Sequence, residues 1–261
     1  MKRETEHDRS KRMHQRVLFD DVAELYDATR AGYPSEVVDE VFRVAELGDG
    51  SRILEIGCGT GQLTVDLARR GVELTAIDIG ASMVAATRKK VSATNVVVEQ
   101  CAFEDLEARS GTFACVVSAT AFHWIDPDLA WSKSAELLQA EGWIAILATA
   151  ERYDDPFGAS FREQWIRYSS DGGAWSTAPE PSLVETIAST GLFHDAITST
   201  HRSRRSITPD ELVRLEATRA TTLSYDPNTR ARFFDDMRAL LEGVRMVPLT
   251  QETTVTMARV R

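Results

Sequence analysis

Three glycines at alternate positions, Gly57, Gly59 and Gly61, stand between two acids that each close an apolar run. The first is Glu55 in Ile53-Leu54-Glu55-Ile56, and the second is Asp78 in Leu74-Thr75-Ala76-Ile77-Asp78. Glycine tolerates positive φ and carries no Cβ, so a ligand can lie directly against such a backbone. A carboxylate about 20 residues beyond the glycines, at the end of the next strand, suits the two hydroxyls of a ribose. A charge-assisted hydrogen bond of that kind contributes about 1.5–3 kcal/mol. The chemistry open to these residues is therefore the capture of a small nucleoside-like molecule. The same residues also describe an ordinary strand–turn–helix in which Asp78 caps the following helix. A second chemical group is His123, in Ala121-Phe122-His123-Trp124-Ile125-Asp126. An imidazole with a pKa near 6.5 is largely neutral at pH 7 and able to accept a proton.

Positioning these groups requires alternating strands and helices. Ile53 to Ile56 reads as a buried strand and Gln62 to Ala68 as a helix. Glu73 to Asp78 reads as a second strand, followed by a helix to about Lys90. Asn95 to Gln100, Phe113 to Ser118 and Gly142 to Leu147 read as further strands, with a helix over Leu129 to Leu138. Such alternation makes a parallel sheet whose ligands sit at the carboxyl ends of the strands. That places the glycine turn, Asp78 and the loop from Ala119 to Asp126 on one edge.

Ahead of this core, residues 1–13 are charged with no apolar period and are expected to be disordered. Val17, Leu18, Val22, Leu25 and Tyr26 recur at helical spacing, the stretch from Asp27 to Pro34 interrupts them, and Ser35 opens a second helix. Behind the core, helices are expected over Phe157 to Tyr168, Leu183 to Ser189, after Thr208-Pro209 and after Asp226-Pro227. Strands are expected over Ala196 to Ile207 and Thr253 to Val260.

The chain has 261 residues and a formal net charge of −10, which disfavours the phosphate-neutralising surface needed to bind nucleic acid. Its cysteines, Cys58, Cys101 and Cys115, lack metal-ligand spacing and fit reduced structural thiols, so no metal is expected. No run is long enough to span a bilayer and the N-terminus lacks an apolar signal core, so the expectation is a cytoplasmic protein with no membrane partner. Nothing in the sequence defines an oligomeric state.

Taken together with Asp78, the pattern Glu55-x-Gly57-x-Gly59-x-Gly61 resembles the class I S-adenosylmethionine (SAM)-dependent methyltransferases. Nicotinamide enzymes usually carry GxGxxG with no acid two residues ahead of it. The resemblance implies an α/β fold: a Rossmann-like, seven-stranded, mostly parallel sheet with an N-terminal helical cover and a C-terminal helical cap insertion. It implies one domain over 14–261, with cover helices in 14–50, a SAM-binding core in 51–150, and an acceptor cap with the last strands in 151–261. The string from Ala121 to Asp126 is similar to that of a small-molecule subgroup that includes enzymes like trans-aconitate methyltransferase.

By this resemblance the cofactor is SAM, the product S-adenosylhomocysteine and the partner a small-molecule methyl acceptor. The methyl would pass to an O, N or C nucleophile by in-line displacement. Glu55, the glycines and Asp78 would hold the donor. Ile79 and Met83 would wall the adenine or simply pack helix on sheet, and Ala102 and Phe103 would lie at its edge. Ser118 would approach the amino group by its backbone. Tyr26 and Arg30 would reach the donor carboxylate or close the site, and Tyr33 would line the methyl-transfer region, unless these tyrosines only anchor a turn. His123 and Trp124 would face the methyl or the acceptor, with His123 as a base or as a packed loop residue. Trp165 and Trp175 would touch the acceptor or belong to the core. Two other readings stay open: carboxyl methylation of a polyacid clamped by Arg202 or Arg204, and SAM binding without methyl transfer.

Overall fold

The computed structural model describes residues 6–92, 94–154, 156–168 and 182–261. The chain enters through three helices, α1 (Glu6–Val17), α2 (Ala23–Thr29) and α3 (Ser35–Val44). The alternating core follows as β1 (Arg52–Ile56), α4 (Thr64–Ala68), β2 (Glu73–Asp78), α5 (Ala81–Lys90), β3 (Val97–Gln100), β4 (Phe113–Ala119) and α6 (Pro127–Leu137). It continues through β5 (Leu138–Tyr153), α7 (Phe157–Tyr168), α8 (Leu183–Thr190), β6 (Phe193–Ile207), α9 (Pro209–Glu216), α10 (Ala220–Leu223), α11 (Pro227–Leu240) and β7 (Val247–Val260).

These strands form a 7-stranded sheet in the order β3-β2-β1-β4-β5-β7-β6. Pairing is parallel from β3 to β5, and β7 runs antiparallel to both of its neighbours. This is the Rossmann-like sheet expected from the sequence. Its central strands are apolar on both faces because both faces are covered. Leu54, Ile56, Val116, Ile144 and Ile146 join Trp131, Ile187 and Phe193 on one side. Ile53, Leu74, Cys115, Val117 and Leu147 join Val37, Val38 and Val41 of α3 on the other.

The last three strands outrun their sequence signal. Expected over Gly142 to Leu147, β5 continues to Tyr153, and expected over Thr253 to Val260, β7 begins at Val247. Residues 148–153 pair with 249–254, and β6 pairs alongside as far as Ile207. This extension mixes polar and apolar positions, so no clean alternation marks it. A separate core of Phe161, Leu212, Leu215, Phe233, Met237 and Leu249 packs it against α7, α9 and α11. The helical cap expected late in the chain is therefore built on sheet that projects beyond the central strands.

The N-terminus corrects an expectation. Residues 6–13, read as disordered, belong to α1. No apolar stripe orders them, since Met13 and Val17 are exposed. Long-range polar contacts do so instead: Arg12 donates to the Trp124 carbonyl at 2.8 Å and Arg16 to Glu104 Oε1 at 2.7 Å. Gln15 adds a bond to the Ser224 hydroxyl at 3.0 Å. Partners more than 80 residues away leave no local pattern to read.

Candidate functional site

The end of β1 turns away through positive φ at Gly57, Gly59 and Gly61, and each glycine does different work. A Cβ on Gly57 would stand 2.3 Å from the Ala121 Cβ, so its bareness lets the loop after β4 close against the turn. Gly59 faces an open cleft, and its N–H donates to Asp78 Oδ2 at 2.9 Å. Gly61 lines no cleft; a Cβ there would press on Thr87 of α5, so it serves helix packing rather than ligand contact.

Two connected chambers open at this edge of the sheet. The first lies between Asp78, Ile79 and Met83 on one side and Phe103, Phe19 and Trp124 on the other. Its walls are largely apolar and aromatic, with the Asp78 carboxylate and the ion pair of Arg16 and Glu104 at 2.7 Å. Asp78 Oδ1 also accepts from the Gly80 N–H at 2.8 Å, so the carboxylate is held rigid at the chamber edge. Desolvation by burial raises its pKa above the ordinary value, and the two backbone donors oppose that rise. The second chamber is lined by Glu55, Arg30, Tyr33, Thr149, Glu151 and Gln251. Tyr26, Gly57, Gly59, Ala119 and Thr120 line both, so the chambers meet over the glycine turn.

Glu55 is the unusual group. It is 1 % exposed, and its Oε2 has no hydrogen-bond partner among the described residues. Desolvation by burial pushes its pKa up to about 8, and the nearby Asp78 charge adds to the rise. A buried carboxylate without a counter-charge is costly to ionise, and a cation placed beside it would reverse that.

Most of the expected site residues meet here: Tyr26, Arg30, Tyr33, Glu55, Gly57, Gly59, Asp78, Ile79, Met83, Phe103 and Trp124 all line one or both chambers. Others do not. Ser118 is buried with its hydroxyl on the Ile56 carbonyl at 2.9 Å, and Ala119 and Thr120 take its place at the cleft. Ala102 is passed over, while its neighbours Cys101, Phe103 and Glu104 line the first chamber. His123 lines neither chamber: its ring lies 4.5 Å from that of Trp124 on the short helical turn over Phe122–Trp124, and desolvation lowers its pKa below the ordinary value. Trp165 packs edge-on against Phe161 and Phe233 in the α7 cluster, away from both chambers. Trp175 lies outside the described residues.

Sequence reasoning missed several groups. Asp20 accepts from the backbone N–H groups of Ser82 at 2.7 Å and Met83 at 3.2 Å, so a carboxylate from the cover caps α5. Asp27 pairs with Lys90 at the other end of that helix. Glu151, 6 % exposed, pairs with Arg219 at 2.9 Å and stands 3.8 Å from Arg30. Arg219 also pairs with the buried Glu216 at 2.8 Å, whose Oε1 accepts from the Tyr153 hydroxyl at 2.9 Å. Arg30 in turn donates to the Thr218 hydroxyl at 3.1 Å and lies over the Tyr26 ring. This network of two arginines and two glutamates ties the cover to β5 and α9. Its members lie too far apart in sequence to signal one another. Thr120, at the junction of the chambers, has φ 58°, a strained value for a β-branched residue.

Comparison with known proteins agrees with this geometry. Residues 53–142 match a family model described as a methyltransferase domain. An uncharacterised methyltransferase of Mycobacterium tuberculosis is 25% identical over 233 residues, covering 86% of each chain. Among solved structures, the YcgJ protein of Bacillus subtilis is similar with a TM-score of 0.58 at 15% identity, over 87% of this chain and 99% of that one. A phosphoethanolamine N-methyltransferase of Haemonchus contortus, solved with S-adenosylhomocysteine, has a TM-score of 0.54 at 18% identity, over 93% of this chain and 57% of its own. The matched span holds the glycine turn, both acids and the loop after β4, and with these features the chain is a SAM-dependent methyltransferase.

Proposed function

We propose that this enzyme holds SAM across the two chambers and transfers its methyl group to a small molecule that enters beside Tyr33. The observation that carries this reading is Glu55, whose Oε2 is buried with no hydrogen-bond partner among the described residues in one chamber while Asp78 edges the other. A ligand with a cationic amine at one end and a ribose in its middle would satisfy both acids. Gly59 presents bare backbone between them, and the first chamber offers an apolar slot with Phe103 and Met83 suited to a flat base. Arg30 supplies a positive charge for the carboxylate at the amine end.

When bound, the donor supplies a methyl group on a sulfonium, made electrophilic by the positive sulfur and displaced in line by the acceptor. The protein's own contribution is alignment and exclusion of water. Positioning of reactants can supply about 7–11 kcal/mol, more than the roughly 10²–10⁴-fold of a general base. The placement of His123 outside both chambers fits an enzyme that relies on alignment. His123→Ala is therefore expected to lower kcat by less than tenfold with unchanged donor affinity; a loss of two decades or more would restore the imidazole as a base.

Support for a small acceptor comes from the second chamber, which Tyr33 lines together with Thr149, Glu151 and Gln251 of the extended β5 and β7. Calorimetry with SAM and with S-adenosylhomocysteine tests the donor half of the reading. Binding of both is expected, with release of the demethylated product in the presence of an acceptor; no heat with either would end it.

A further inference from the structure

Within the second chamber, Glu55 and Arg30 are engaged by the donor on the reading above, which leaves an uncharged group of side chains facing the acceptor. Gln251 stands on β7 directly across from Glu151 of β5. It is 7 % exposed, lines the chamber, and its side-chain amide hydrogen-bonds to no group among the described residues. The amide opens on the chamber rather than being sealed in the core, so a ligand entering there can complete it. Opposite it, the Tyr33 hydroxyl lies 3.1 Å from the Thr120 hydroxyl, with Thr149 also within its reach. Thr120 is the residue held at positive φ where the chambers meet.

We propose that Gln251 and the Tyr33–Thr120 hydroxyl pair form the acceptor subsite, and that it takes an oxyanion, most simply a carboxylate, as the atom to be methylated. An amide N–H and the hydroxyl of the pair whose proton is not spent on its neighbour can both donate to such an oxygen. None of them can remove a proton. Burial pushes the Tyr33 phenol up to about 12, so it stays protonated. Glu151, the remaining carboxylate of the chamber, is tied to Arg219 and Arg30. An alcohol or a protonated amine would need a base that this chamber lacks, whereas a carboxylate arrives with its lone pair exposed. The balance is simple: the oxygen–methyl bond forms as the sulfur–methyl bond breaks, the bonding pair stays on sulfur, and no proton moves. Arg202, once considered as a clamp for an acid, is bound to Glu252 at 2.6 Å on the opposite face of β7 and plays no part here.

The inference rests on the donor reading, so SAM binding by the same protein preparation is measured first; its absence would count against that reading rather than against the subsite. The test then uses matched acceptors on common skeletons: benzoate, benzyl alcohol and benzylamine, and octanoate, 1-octanol and octylamine. S-adenosylhomocysteine release and the methylated product are followed for each. Turnover of the acids alone is expected. Gln251→Leu is expected to raise the KM of the best acid at least tenfold, and Gln251→Glu, which sets a carboxylate against the oxyanion, at least a hundredfold. Both variants should keep the wild-type donor Kd, and Gln251→Leu should melt no lower than the wild type because the amide it removes has no partner. Turnover of alcohols or amines in preference to acids, silence of every acid in SAM-competent protein, or an unchanged KM in Gln251→Glu would overturn the proposal.

Discussion

Glu55→Gln is expected to melt roughly 5 °C higher than the wild type at pH 8 while binding the donor at least tenfold more weakly. Between the ordinary carboxylate range and its native pKa of about 8, the folded chain holds a proton on Glu55 that the unfolded chain has released. Fewer protons on the unfolded chain mean that this group's contribution to stability falls as pH rises, by about 1.4 kcal/mol per pH unit across that window. Above about pH 8 the native carboxylate is ionised too and the full cost, several kcal/mol, remains. A neutral amide of the same shape never incurs it. The wild type should therefore melt lower at pH 8 than at pH 5 by a margin that shrinks in the variant. Donor affinity should move the other way. A cationic amine needs the ionised carboxylate, so the wild-type Kd should fall as pH rises from 6 toward 8, by up to about tenfold per unit, and the variant should lose that slope. Calorimetric melts and donor titrations at three pH values check both. A variant that lost stability and kept donor affinity would show that Glu55 is structural.

Asp78→Asn is the second large effect. The native carboxylate accepts from Gly59 and Gly80 through separate oxygens, and the lone pairs left over face the first chamber. An amide keeps one oxygen and turns its NH₂ toward the other N–H. The loss of one backbone bond should cost about 1–3 kcal/mol of stability. Removing the negative charge from two ribose hydroxyls should cost more: at about 1.5–3 kcal/mol each, the donor Kd should rise on the order of a hundredfold or beyond. The change should appear in the donor KM with kcat at saturating donor largely kept, since the ribose contact is made equally in ground and transition states. A Kd within threefold of wild type would remove Asp78 from the site.

The two variants differ in a useful way. Glu55 is buried without a counter-charge among the described residues, so replacing it relieves the native state. Asp78 is tied to the turn that it helps to shape, so replacing it loosens that turn. Both acids close strands at one edge of the sheet, yet burial and backbone bonding give them opposite effects on stability.

Much of this was legible in the sequence. Apolar runs that end in acids, glycines at alternate positions and helical stretches between them specify a parallel sheet with a ligand edge, because burial on both faces and backbone bareness are local demands on residue type. The placement of Asp78 at that edge follows from the same strand pattern, whereas Tyr26, Met83 and Phe103 were expected there from the family resemblance and do line the first chamber. His123 lines neither chamber, because a short helical turn decides which neighbour meets the cleft, and in Phe122–Trp124 it is Trp124. Strand alternation turns the Ser118 hydroxyl onto the Ile56 carbonyl, and the next residues, Ala119 and Thr120, line the cleft.

Sequence alone thus determined the sheet, the glycine turn and the two acids, since each depends on residues within a few positions of one another or on the period of one strand. Only the tertiary structure decided which groups complete the site. Asp20 on α5, Arg12 on the loop after β4, Arg16 on Glu104 of the loop after β3, Glu151 between two arginines and Gln251 facing the second chamber all act across distances that the chain closes only on folding. Hydrogen bonds and ion pairs carry no periodicity, so these partners become visible only when packing has brought them together.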